Sequence, residues 1–145
     1  AGAGVGAGIV IDGKLYSGPN TGAGEIGSIP YLDRDYEYYC SSRFFVGRGT
    51  SGKEAFERAA AGDPGALALW REFGGHIGQL VMLALYAYDP EAIVFGGSIS
   101  QAFDFFREAM YERLAEFPYA RTVERLRIGC SKIENVGLLG GSACE

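Results

Sequence analysis

Residues 1–18 read AGAGVGAGIVIDGKLYSG, and the role of this glycine-rich run decides the fold. A loop of alternating glycines brings backbone N–H groups close to an anion only when something rigid holds both of its ends. Gly2, Gly4 and Ala7 match a dinucleotide-binding fingerprint. That mechanism needs a strand before the loop and a helix N-terminus after it, so that the helix dipole faces the pyrophosphate. Here the loop runs into a hairpin instead. Ile9-Val10-Ile11 and Lys14-Leu15-Tyr16 flank Asp12-Gly13, the dipeptide best suited to a type I′ turn. A dinucleotide-binding Rossmann unit is thereby excluded.

Downstream of the hairpin a second glycine-rich loop, GPNTGAGEIGS, occupies residues 18–28, and an aromatic stretch read as irregular, PYLDRDYEYYCSSRFFV, occupies 30–46. Ser51-Gly-Lys-Glu54 opens a helix through Ala61, and Asp63-Pro64 opens a second that runs to Tyr88 and ends at Asp89-Pro90. Its Gly74-Gly75 pair either kinks the helix or admits another backbone. Ala92–Phe95 reads as a short strand followed by Gly96-Gly97-Ser98, and a third helix runs from Gln101 to Phe117. Val123–Ile128 alternates and reads as a strand, and VGLLGGSACE closes the chain as a glycine-broken helix or loop. Two strands followed by alternating helices and strands predict an α/β domain with a mixed sheet.

The totals agree with one globular domain. With 145 residues, 48% hydrophobic and 21% charged, the chain can bury a core and is not a disordered polymer. A net charge of -5 and the lack of a basic cluster argue against a nucleic-acid surface. Three separated cysteines (Cys40, Cys130, Cys144) leave one unpaired in any scheme, which points to thiols in a reducing, cytoplasmic setting. No signal peptide is expected, and no apolar run of membrane length occurs.

Gly47-Arg-Gly-Thr-Ser-Gly52-Lys53 imitates a P-loop up to its final position, where Glu54 replaces the magnesium-binding hydroxyl and would repel phosphates. A capping box between Ser51 and Glu54 explains the same residues better. A glycine loop entering a hairpin has another use. In actin-like ATPase folds such turns hold phosphates with backbone amides, and a strand–Gly-Gly–helix element of the same lobe receives the adenosine. Both parts occur here, at 2–8 and at 93–100, and the second places bare backbone beside a strand's carboxyl end.

Taken together these segments resemble the C-terminal lobe of the ROK family of repressors, open reading frames and sugar kinases. GAGVGAGIVIDGKLYSG resembles the family's second phosphate loop and hairpin, GPNTGAGEIGS its sugar-binding segment, and DPEAIVFGGSIS its adenosine-side strand and turn. The resemblance implies an actin-like, ribonuclease-H-like lobe with a mixed sheet and helices, ATP with Mg2+, and a hexose or amino-sugar substrate. It implies a homodimer and no membrane. It also implies that residues 1–145 are a single C-terminal lobe whose N-terminal lobe, with the catalytic aspartate, is absent. No catalytic residue is therefore expected in this chain, and the chain alone is expected to be inactive, acting as an enzyme only as part of the longer polypeptide.

The resemblance assigns ATP binding to Gly2, Ala3, Gly4, Gly96, Gly97 and Ser98, and sugar binding to Glu25, Ser28 and Asn20. Ala3 stands where the family has a threonine, which removes a hydroxyl donor to the phosphates. Ser28 stands where the family has a histidine that contacts sugar and, in zinc-containing members, zinc. The cysteine-rich zinc loop that should follow retains Cys40 alone, so no structural zinc is expected, and the aromatic segment packs in its place. If Cys40 aligns with the last family cysteine, Ser42 occupies the place of a second sugar-binding glutamate.

Glu25 is the leading candidate on chemistry as well. A carboxylate between Gly24 and Gly27 can accept two sugar hydroxyls because the glycines allow close approach. Asn20 is either a second polar contact or an Asx-turn residue. The tyrosines at 31, 36, 38 and 39 read as core or interface packing rather than a sugar platform, and His76 as a satisfied interior or interfacial histidine. Three functions remain: a sugar kinase, a sugar-responsive regulator, and a sensor without turnover. The regulator would touch nucleic acid only through an added N-terminal DNA-binding segment.

Overall fold

The computed structural model describes residues 5–131, so Gly2, Ala3, Gly4, Cys144 and the VGLLGGSACE segment lie outside the described residues. Ile9–Ile11 (β1) and Lys14–Tyr16 (β2) pair antiparallel, with Ile9 opposite Tyr16 and Ile11 opposite Lys14. Asp12 and Gly13 have φ of 53° and 76°, the two left-handed residues that a type I′ turn requires. The hairpin is apolar yet open to solvent: Ile11 is 54% and Leu15 62% exposed.

The stretch read as irregular is regular. Pro30–Tyr31 (β3) pairs antiparallel with Arg34–Asp35 (β4), followed by Tyr36–Tyr39 (α1) and Ser42–Val46 (α2). Two local caps create these short helices. The Tyr38 N–H donates to Asp35 Oδ1 at 2.9 Å, and the Arg43 N–H donates to Ser41 Oγ at 3.2 Å.

Gly52–Ala60 (α3) starts at Ser51, whose Oγ accepts the Glu54 N–H at 3.1 Å. The P-loop-like residues are thus a helix cap. Pro64–Tyr88 (α4) is one 25-residue helix with Asp63 as N-cap, and it ends where Asp89 turns left-handed at φ 45°. Ala92–Phe95 (β5) follows, then a 3-10 turn over Ser98–Ala102 and the helix Phe103–Leu114 (α5). Ala120–Arg125 (α6) and Arg127–Cys130 (β6) complete the described chain.

Three boundaries differ from expectation, among them the end of the third helix, at Leu114 rather than Phe117. The third helix begins at Phe103 rather than Gln101, and Val123–Arg125 is helical rather than extended. The alternation across Val123–Ile128 is carried by a short helix whose Thr122 carbonyl accepts the Leu126 N–H at 3.1 Å. Pairing then decides where the strand begins. β6 runs parallel to β5, with Ala92 beside Arg127 and Phe95 beside Cys130. The chain is therefore α/β with antiparallel and parallel ladders, as expected, although among the described residues these are separate two-stranded pieces.

The core forms around α4. Phe44, Phe45, Trp70, Phe73, Phe106, Met110 and Leu114 are buried together. Gly74 and Gly78 bring α5 close: a Cβ at Gly74 would overlap the Phe106 carbonyl oxygen, and one at Gly78 would lie 2.8 Å from that of Met110. Of the Gly74-Gly75 pair, Gly74 admits another backbone, while Gly75 faces the Arg113 side chain. Burial pushes the Cys40 thiol far up from its ordinary pKa, so it behaves as a small hydrophobe. Cys130 is disulfide-bonded, against the expectation of thiols throughout. Among the described residues no helix is long and apolar enough to cross a membrane.

Candidate functional site

Glu25 is exposed and precedes a 3-10 turn over Ile26–Ser28, with buried glycines on both sides. The turn is closed by the Ile26 N–H donating to the Gly24 carbonyl at 2.7 Å and the Ile29 N–H donating to Ile26 at 3.2 Å. The same Gly24 carbonyl accepts the Ala7 N–H at 2.9 Å. Gly24 has φ +92°, and a Cβ there would overlap the Ala7 carbonyl oxygen; one at Gly27 would overlap that of Val5. The end of the first glycine loop and the loop carrying Glu25 therefore meet backbone to backbone. Ser28 lies exposed on the same turn.

Asn20 is elsewhere. It lines an open cleft of about 420 Å³ with Tyr16, Pro19 and Tyr88, which neither Glu25 nor Ser28 lines. Beside it Thr21 adopts φ 53°, unusual for a β-branched residue. Ser42 lies exposed at the start of α2.

At the far sheet, Gly97 follows β5 and opens the 3-10 turn, and its carbonyl accepts both the Ser100 N–H (3.2 Å) and the Ser100 hydroxyl (2.7 Å). Gly96 and Gly97 are half-buried and Ser98 is exposed. The turn, rather than the α-helix itself, stands at the strand's carboxyl end. Gly6 and Gly97 face open space, where an added Cβ would meet nothing within 4 Å. Bare, accessible backbone at both places suits phosphates and a nucleoside. Among the described residues no group of three or more His, Cys, Asp or Glu could hold a metal ion.

Where the resemblance places a zinc loop, aromatic rings gather around His76. The Tyr31 hydroxyl lies 2.8 Å from His76 Nδ1, and the Tyr39 and Phe44 rings lie 4.8 and 5.7 Å from the imidazole. Tyr36, which is buried, stacks on the half-buried Tyr31 at 4.4 Å. Burial lowers the His76 pKa and raises that of Tyr31. The Tyr39 hydroxyl donates to Asp33 and holds its carboxyl below the usual range. Backbone bonds join this cluster to the Glu25 turn, since the Tyr36 N–H donates to the Ile29 carbonyl at 3.2 Å. Sequence reasoning foresaw a satisfied histidine but not its partner, which lies 45 residues away.

The model of the ROK family matches residues 1–143. Among solved structures, one described as a candidate sugar kinase from Cytophaga hutchinsonii is 25% identical with a TM-score of 0.83, covering 92% of this chain and 51% of that one. A ROK family glucokinase from Streptomyces griseus in complex with glucose and AMPPNP is 23% identical with a TM-score of 0.77, covering 92% and 54%. A ROK family transcriptional regulator, a homologue of the E. coli MLC protein, is 22% identical with a TM-score of 0.83, covering 93% and 41%. The chain thus spans about half the length of these structures. No curated protein matches it.

Proposed function

The chain belongs to the ROK family, and from that premise we propose that it is the C-terminal lobe of an ATP-dependent hexose kinase. The observation that carries this reading is the meeting of the two glycine loops, with Glu25 exposed between buried Gly24 and Gly27. Glu25 accepts sugar hydroxyls, and Ser28 on the same turn adds a shorter-range contact. Asn20, which lines a different cleft, contributes less directly. The bare backbone at the first loop and at Gly96, Gly97 and Ser98 receives the phosphates and the adenosine. ATP with magnesium supplies the transferable phosphoryl group. The chain's own residues position sugar and nucleotide, and the base that takes the hydroxyl proton belongs to the other lobe.

The second reading is a sugar-responsive regulator, favoured by the fold likeness to a ROK transcriptional regulator. Both readings share the sugar site and differ in turnover. Sugar-dependent ADP release by the full-length protein, over a panel of hexoses and N-acetylated hexosamines with magnesium and ATP, separates them. Turnover on one sugar, lost in Glu25→Gln, establishes the kinase. Sugar binding without ADP release moves the assignment to a regulator or sensor.

A further inference from the structure

Resting on the sugar-site reading above, we propose that the seam between Val5–Ala7 and Gly24–Gly27 couples nucleotide binding to sugar binding, with Gly24 and Gly27 as its positioning residues. Most neighbouring loops touch through side chains, which absorb displacement by changing rotamer. This contact is made mainly by backbone. The Ala7 N–H donates to the Gly24 carbonyl at 2.9 Å, and the glycines lie so close that a Cβ on either would overlap a carbonyl oxygen of the opposing segment.

The Gly24 carbonyl is also the acceptor that closes the Glu25 turn, taking the Ile26 N–H at 2.7 Å. One oxygen is therefore shared between the first glycine loop and the turn that aims Glu25. A shift of Ala7 moves the acceptor oxygen that also takes the Ile26 N–H, and with it the backbone at Glu25. Ala7 itself cannot offer its amide to a phosphate while the seam is closed, so it acts through Gly24 and not on the ligand. The left-handed φ of +92° at Gly24 adds a second constraint, since a side chain there would strain the backbone as well as clash. Asn20, Thr21 and Ser42 lie off this seam.

Coupling of this kind is reciprocal: whatever factor sugar adds to nucleotide affinity, nucleotide adds to sugar affinity. Titration of Mg-AMPPNP into the full-length protein, alone and with each panel sugar saturating, measures that factor. We expect nucleotide affinity to rise about five-fold or more with the correct sugar. In Gly27→Ala, which wedges the Val5 segment away without demanding an unusual φ, the factor should fall toward one. Hydrogen exchange on the unmodified protein provides a second readout should the variant fail to fold: sugar alone should slow exchange at the Ala7 amide.

Independent binding of the two ligands overturns the coupling while leaving the sugar site standing. Coupling that survives in a folded Gly27→Ala, or an Ala7 amide indifferent to bound sugar, overturns the seam as its route. If no panel sugar binds, the sugar-site reading falls, and this inference with it.

Discussion

The Tyr31 hydroxyl and His76 Nδ1 lie 2.8 Å apart and join the β3–β4 hairpin to the long central helix. Burial raises the Tyr31 pKa, and the imidazole tautomer sets which of the two donates. Charged groups face the ring from several elements: Glu72 on α4, Arg48 beyond α2 and Arg113 on α5.

This pair sets a pH dependence. Burial lowers the His76 pKa below 6.5 in the folded chain, so the unfolded chain binds a proton first. Stability should be full above pH 6.5, fall as pH drops below it, and level off under the folded pKa. His76 is the only histidine, so melting temperature followed from pH 7.5 to 5.5 isolates the effect. His76→Gln should flatten the profile; an unchanged slope would rule His76 out as its origin.

Glu25 is exposed, so Glu25→Gln should leave the fold intact by circular dichroism while weakening sugar binding. A hydrogen bond to a charged group contributes about 1.5–3 kcal/mol, so roughly a 10- to 150-fold loss is expected by calorimetry. An unchanged affinity would remove Glu25 from the site.

Gly78 is a packing residue against α5. Gly78→Ala forces a Cβ into contact with the Met110 carbonyl and the Arg113 side chain. Overpacking of this kind costs about 1–3 kcal/mol. Urea unfolding should show a lower midpoint with little change in slope.

Thr21 sits at φ 53°, a conformation that costs a β-branched residue roughly 1–2 kcal/mol. Thr21→Gly removes that strain but adds backbone entropy to the unfolded chain. A net gain of about 0.5–1 kcal/mol is expected, read as a higher denaturation midpoint. A loss would mean that the Thr21 hydroxyl, which donates to the Asn20 carbonyl at 2.6 Å, matters more than the strain.

Chelation offers a test of the zinc-free reading. With aromatic packing around His76 in place of a metal loop, EDTA should leave the melting temperature of the nucleotide-free protein unchanged. A fall restored by zinc would show a structural metal after all.

Much of the architecture was written locally. Asp12-Gly13 supplies both left-handed turn residues, Ser51 and Asp63 cap their own helices, and three spaced glycine motifs place the chain in its family. Each depends on groups a few residues apart, whose chemistry does not wait for the rest of the chain to fold. What only the tertiary structure decided involves partners distant in sequence. Val123–Arg125 alternates like a strand, yet pairing with β5 begins at Arg127. Tyr31 finds His76, Gly78 admits α5, and Gly24 meets Ala7 because the folded chain returns to those points. A glycine in sequence announces that something comes close; the packed backbone alone determines what that neighbour is.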